Sequence, residues 1–198
     1  LAVQRVREAL IKGELGDIRV IGVRVRWCRP QRYYDLAAWR GTLSHDGGAL
    51  SNQGIHHVDL LRYLGGEVGQ VNATMRTLGA EIEAEDTIVS SFTYENNAVG
   101  TLEITTSARP DDFEASISIV GSKGLAQIGG IAVNELQIFT PDPSECEKNT
   151  EDFSNCVYGE GHELLYGAIY SSMANGNEYS VNRKDCFESI RLLNAFLD

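Results

Sequence analysis

The chain has 198 residues, with 17 Lys and Arg against 28 Asp and Glu, for a formal net charge of −11. An acidic chain without a basic run is excluded as a nucleic-acid backbone binder, and no stretch approaches the roughly 18 apolar residues of a membrane span. Apolar content of 42% and charged content of 23% are ordinary for a globular fold, and at this length one domain buries roughly 70% of its unfolded surface without disulfide staples.

The chain opens on Leu1 inside a charged amphipathic segment, Leu1 to Lys12, with Val3, Val6, Leu10 and Ile11 on one helical stripe. Such a segment is not a secretory leader, and a start inside a helix reads as a piece cut from a longer chain. Gly13 and Gly16 stop the helix. Asp17 to Trp27 alternates apolar and polar with one slip at Gly22, which predicts a strand; Arg19, Arg24 and Arg26 are expected on a solvated face or in an ion-paired interface. Arg29 to Thr42 has no clean period and reads as a loop. Ser44 to Ser51 is a glycine turn, and Asn52 to Leu64 a helix carrying Ile55, Val58, Leu61 and Leu64, widened by Leu60 and ended by Gly65 and Gly66.

Six strands are predicted next, at Gly69 to Thr77, Thr87 to Tyr94, Ala98 to Thr106, Ala115 to Gly121, Gly124 to Ile128 and Glu135 to Thr140. Glu95-Asn96-Asn97 and Gly121 to Gly124 are hairpin turns. Pro141 to Gly161 is an acidic, turn-rich loop, and His162 to Asn175 and Arg183 to Leu197 are helices. Segregated strands and helices define the fold class as α+β, a large open, mainly antiparallel β-sheet with helices on one face. The other face is expected to meet solvent or a second subunit. Cys28, Cys146, Cys156 and Cys186 lack zinc or redox spacing; Cys146 and Cys156 could pair across the acidic loop, but free thiols are expected.

The sharpest chemical signal is Gly47 to Asp59. A glycine pair permits close backbone approach, Asn52 reads as an N-cap, and Asn52 and His56, four apart, share a helical face. Positive potential at that helix start favours bound oxygen. The competing reading makes His56 a satisfied buried histidine. Zinc on His56, His57 and Asp59 is disfavoured, because adjacent helical side chains diverge by about 100°. Arg32, Tyr33, Trp39 and Arg40 combine guanidinium forks and aromatic planes suited to anionic, ring-containing ligands, or else pin a surface loop. Arg109 adds a cation or merely ends a strand. Gly159-Glu160-Gly161 lacks the third glycine of a phosphate loop and follows no strand, so no cofactor-binding unit is expected in the chain.

The segment GGALSNQGIHHVDLLRYLGG, residues 47–66, resembles the second signature of the Gfo/Idh/MocA oxidoreductases, G-G-x-x-x-D-x-G-x-H-x-x-D. Gly47, Gly48, Gly54, His56 and Asp59 match it, and Asn52 stands where the pattern has Asp. LAVQRVREALIKGELG resembles the helix just past the family's N-terminal domain, residues 83–94 and 100–106 its sheet strands, and GHELLYGAIYSSMANG its penultimate helix. The resemblance implies the dihydrodipicolinate-reductase-like C-terminal fold over residues 1–198, a substrate-binding and oligomerisation domain. It also implies an absent N-terminal Rossmann domain, which carries NAD or NADP and the catalytic lysine of a Glu-Lys-Pro motif. None of Lys12, Lys123, Lys148 and Lys184 stands in that context.

The Asn-Gln-Gly-Ile-His-His form resembles the UDP-N-acetyl-2-amino-2-deoxyglucuronate 3-dehydrogenase branch, which serves surface-polysaccharide synthesis. That implies hydride transfer from a sugar or UDP-sugar hydroxyl to NAD(P). His56 would be the general base or its partner and Asn52 would fix the histidine or a hydroxyl. Arg32, Tyr33, Trp39, Arg40 and Arg109 would contact the acidic nucleotide sugar. The expected protein is cytoplasmic, with no metal, nucleic-acid or membrane partner, and a homo-oligomer through the sheet face; the isolated domain would be inactive. The alternative is a non-catalytic ligand-binding or oligomerisation module.

Overall fold

Alternation along the strands sets the two faces of the sheet in the computed structural model, which describes residues 1–153, 161–177, 179, 181 and 183–198. In β1 (Ile18–Arg26), Ile21, Val23 and Val25 point to the core, while Val20 and Arg24 point away. The register shifts between Ile18 and Val20, and from Val20 onward it runs unbroken through Gly22. β2 (Val68–Arg76), β3 (Thr87–Tyr94), β4 (Val99–Thr105), β5 (Glu114–Gly121), β6 (Leu125–Gly129) and β7 (Glu135–Phe139) complete a seven-stranded sheet in the order β2-β3-β4-β1-β5-β6-β7. Among the described residues only the β1–β4 pair is parallel, and the other ladders are antiparallel. The expected α+β class and open, mainly antiparallel sheet are what the structure shows.

Three helices cover one face. α1 (Ala2–Ile11) buries Ala2, Val6 and Ala9. Its buried stripe is rotated from the expected one, since Val3 and Leu10 are only partly buried and Ile11 is 72% exposed. α3 (Ile55–Gly65) buries Val58, Leu61 and Leu64, and α6 (Arg183–Leu197) buries Leu192, Leu193 and Phe196. Their side chains meet Ile21, Val23, Ile88, Phe92, Leu102 and Ile104 of the central strands in one apolar core. Phe196 stands edge-on to Phe92 at 5.7 Å, a favoured aromatic geometry. Tyr94, buried against α3, donates to the Leu61 carbonyl at 3.1 Å.

The opposite face carries both charged and apolar side chains. Arg26 makes a forked contact with Glu103, at 2.6 and 2.9 Å, and reaches Glu114 at 3.2 Å. That hydrogen bonding raises the Arg26 pKa and lowers that of Glu103. Across β4, β1, β5 and β6, register places Val99, Val20, Val120 and Leu125 side by side, each more than a third exposed.

Two short helices lie where the sequence predicts only loop: α2 (Gln31–Tyr34), and α4 (Glu145–Lys148) inside the acidic segment, packed on β7. α5 (Gly161–Asn175) buries none of its residues, and Leu164, Tyr166, Tyr170 and Met173 are exposed. Cys28, Cys146 and Cys186 are free thiols. Cys156, and with it the possible Cys146 pairing, lies outside the described residues, as do Gly159 and Glu160.

Candidate functional site

The candidate site is built where a glycine turn runs into α3. Gly47 donates to the Thr42 carbonyl at 2.9 Å and closes a turn. Gly48 has φ +89°, a conformation that favours glycine, and a Cβ there would lie 1.8 Å from Glu85 Oε2 and displace that carboxylate. That close approach lets Glu85 reach the helix start: its Oε1 accepts from Leu50 N–H at 2.9 Å, and its own carbonyl accepts from Ala49 N–H at 2.9 Å. Burial pushes the Glu85 carboxyl up; the Leu50 bond opposes that rise.

Helical structure therefore begins at Gly48, and Asn52 is not the N-cap that the sequence suggests. Asn52 falls inside a π-helical turn, Leu50–Gly54, that feeds directly into α3. A π turn is wider than an α turn. Two side chains four apart are thereby parted: Asn52 lines a small void, and His56 lines a different and larger cleft.

The small void, about 10 Å³, is bounded by Arg29, Tyr33, Asp46, Asn52 and Gln53 among others. Asn52 Nδ2 donates to Asp46 Oδ1. Its Oδ1 accepts from Gln53 Nε2 at 2.7 Å. Gln53 Oε1 in turn accepts from Arg29 Nη2 at 3.3 Å, and Arg29 Nη1 pairs with Asp112 at 2.8 Å. The Arg29 guanidinium lies 5.5 Å from both the Trp27 and Tyr33 rings, and that of Arg40 lies 4.2 Å from Tyr33 and 4.6 Å from Trp39. Tyr33, Trp39, Arg40 and Asn52 are thus brought into one neighbourhood.

Arg109 lines a separate cavity, with Arg26, Glu103 and Asp112, and is not brought to the void. It donates to the carbonyls of Ala108 at 2.7 Å and Gly79 at 3.0 Å and comes within 3.5 Å of that of Arg29. Most of its donors are spent holding loops together. Arg32, though next to Tyr33, is exposed on α2. Asp46, Arg29, Gln53 and Glu85 were not singled out by sequence reasoning. Asp46 and Gln53 sit in or beside the signature and could have been found there; Glu85 has no local signal, because its partner is 35 residues away.

His56 is exposed and opens on a cleft of about 970 Å³ between α1, α3 and α6. Among the described residues no side chain hydrogen-bonds its ring. Gln4 and Arg7 line the far wall, and Asp59, which accepts from Ser189 Oγ, ties α3 to α6 at the floor. The buried histidine is instead His57, 3% exposed, with both ring nitrogens unpaired and the Trp27 ring edge-on at 5.7 Å. Burial, helped by the neighbouring His56, lowers the His57 pKa to about 4. Among the described residues no group of His, Cys, Asp and Glu could hold a metal ion.

A helix-backed open sheet whose glycine-led helix presents a histidine to a cleft makes the chain an α+β domain. The family model described as the GFO/IDH/MocA C-terminal domain matches residues 3–127, and the chain belongs to that family. It is similar, at 36% identity and TM-score 0.85, to the WlbA dehydrogenase from Bordetella pertussis solved with NADH and UDP-GlcNAcA; the match covers 99% of this chain and 56% of that one. WlbA from Chromobacterium violaceum, solved with the same two ligands, gives 37% identity and TM-score 0.86 with the same coverage. Levoglucosan dehydrogenase, at 20% identity and TM-score 0.80 over 97% of this chain and 59% of its own, shares the fold. No curated protein matches the chain. The chain thus spans a little over half the length of the WlbA chains it matches.

Proposed function

We propose that residues 1–198 form the substrate-binding and assembly domain of an NAD(P)-dependent dehydrogenase that oxidises a hydroxyl of an acidic UDP-sugar. The observation that carries the reading is whole-chain identity of 36–37% to two proteins solved with NADH and UDP-GlcNAcA, together with a signature histidine left open to a cleft. The chain's own residues fit the substrate side of such a reaction but not the dinucleotide's phosphates, for which it has no complete glycine loop. A separate Rossmann domain is assigned that task, and the nicotinamide would take up the hydride.

In this reading His56 Nε2 or Nδ1 accepts the proton leaving the sugar hydroxyl. Its exposed ring, untethered by other side chains, is available to a hydroxyl entering the cleft. Asn52 acts from the other side of the helix by holding the Gln53–Arg29 chain in place. Tyr33, Trp39 and Arg40 offer stacked planes and a cation to an anionic sugar nucleotide, with Arg32 at the margin. The Val99–Val20–Val120–Leu125 row is the proposed contact between copies, apolar enough to favour a covered sheet face. Among the described residues no helix is long and apolar enough to cross a membrane; a cytoplasmic place, in surface-polysaccharide synthesis, is part of the proposal.

The test uses the protein that joins this domain to its dinucleotide domain. UDP-linked glucuronate ligands should raise the melting temperature by mass action, while inositol and glucose should not. His56→Ala should lower turnover by roughly 10²–10⁴. Near wild-type turnover in that variant removes His56 from acid–base chemistry. Absence of any shift with sugar nucleotides leaves the non-catalytic module.

A further inference from the structure

The Asn52 amide is committed at both ends. Its nitrogen donates to Asp46, and its oxygen accepts from Gln53. A carboxamide flip would set two donors, or two acceptors, against each other, so the orientation is fixed by its neighbours. Asp46 is itself pinned, because its other oxygen accepts from Gly41 N–H at 2.6 Å. Donation along the chain from Arg29 to Asp46 then runs in one direction, inward to the carboxylate. Asn52 donates to Asp46, Gln53 to Asn52, Arg29 to Gln53, and Arg29 also to Asp112. The void beside this chain is about 10 Å³, room for one water at most. Asn52 is half-buried beside it.

We propose that Asp46 is a positioning residue of this site: its carboxylate dictates an amide at position 52, and through that amide orients Gln53 and the Arg29 guanidinium between Trp27 and Tyr33. The proposal rests on the function proposed above for its catalytic consequence, though not for the pairing itself. Asp46 carries the fixed negative charge, and position 52 must answer with a donor. An aspartate at 52 would have no proton to give and would press a second carboxylate against the first, in a neighbourhood that already holds the buried Glu85 and Asp86. Like charges in contact disfavour each other's ionised form. The polarity of the chain also explains the neighbouring Gln53, which needs one donor for Asn52 and one acceptor for Arg29; glutamate would supply no donor.

The decisive experiment is an exchange of the two side chains. Asn52→Asp, Asp46→Asn and the double variant are made in the full-length protein and followed by thermal unfolding from pH 4 to 8. Asn52→Asp is expected to lower the melting temperature at pH 7.5 by roughly 2–8 °C, with part of that loss recovered near pH 5 as the carboxylate pair takes up a proton. The double variant restores a donor opposite a carboxylate and is expected to regain more than half of the loss. Turnover is read on the same set. Asn52→Asp should shift the pH profile and lower kcat more than it raises KM, and the exchange should restore both. An Asn52→Asp variant with unaltered melting temperature at all pH values overturns the pairing, as does a double variant no better than the sum of the singles. An exchange that restores stability but leaves the pH profile of turnover shifted overturns the positioning role. A wild-type protein inactive on every sugar nucleotide defeats the proposed function alone, because the unfolding cycle still decides the pairing.

Discussion

The two sides of α3 carry adjacent histidines to opposite fates. His57 turns with Val58, Leu61 and Leu64 into the core. His56 turns with Asp59 and Tyr63 to the cleft shared with α1 and α6. One residue of helical rotation separates a neutral, unpaired, buried ring from an exposed one. The contrast teaches that residue type alone does not locate a site here: one histidine is packed into the core and its neighbour is open to a cleft. Changes on the two sides should therefore be separable.

The largest effect is expected on the core side. Leu61 is fully buried between the sheet and the other helices. Leu61→Ala removes its contacts and leaves a cavity, at a cost of about 2–5 kcal/mol in urea unfolding. A cost under about 1 kcal/mol would mean that α3 is not fixed on the sheet as described.

The second effect sharpens the contrast between the histidines through pH. The His57 pKa is about 4 in the folded chain, against 6.5 for the unperturbed ring. The unfolded chain takes up this proton first, so the destabilising effect of His57 is absent above pH 6.5, grows as pH falls, and is complete below pH 4. The window corresponds to about 3 kcal/mol. His57→Leu should flatten that part of the stability–pH curve and leave stability at pH 7.5 equal or higher, because two unpaired buried nitrogens disappear. Identical slopes for wild type and His57→Leu between pH 6.5 and 4 would show that His57 does not stay neutral in the fold.

How much of this was legible beforehand differs by element. Strands announced themselves because period two survives locally; the predicted spans at 87–94, 98–106 and 115–121 differ from β3, β4 and β5 by a residue or less at either end. The parallel β1–β4 pair was not legible, since strand order depends on contacts across some 80 residues. The signature histidine was legible as a motif, yet which of two histidines is buried was not. That depends on how α3 enters from the π turn at Leu50–Gly54, whose Leu50 N–H is held by Glu85 from 35 residues away. The aromatic–arginine cluster was visible in Tyr33, Trp39 and Arg40, but Arg29 lay hidden because its partners, Gln53 and Asp112, come from two distant segments.

The smallest effect on stability belongs to the residue given the largest role in chemistry. His56 is exposed and is held by no hydrogen bond from another side chain among the described residues. His56→Ala should change the unfolding free energy by no more than about 0.5 kcal/mol, as for other surface positions. If the same variant loses roughly 10²–10⁴ in turnover, the loss cannot be charged to unfolding. A stability loss above about 1 kcal/mol would instead return His56 to the packing side of the helix and erase the contrast with His57. The measurement is informative because it needs no substrate. It asks whether the exposed ring is structurally idle, which is what a group kept for proton transfer in an open cleft must be before its substrate arrives.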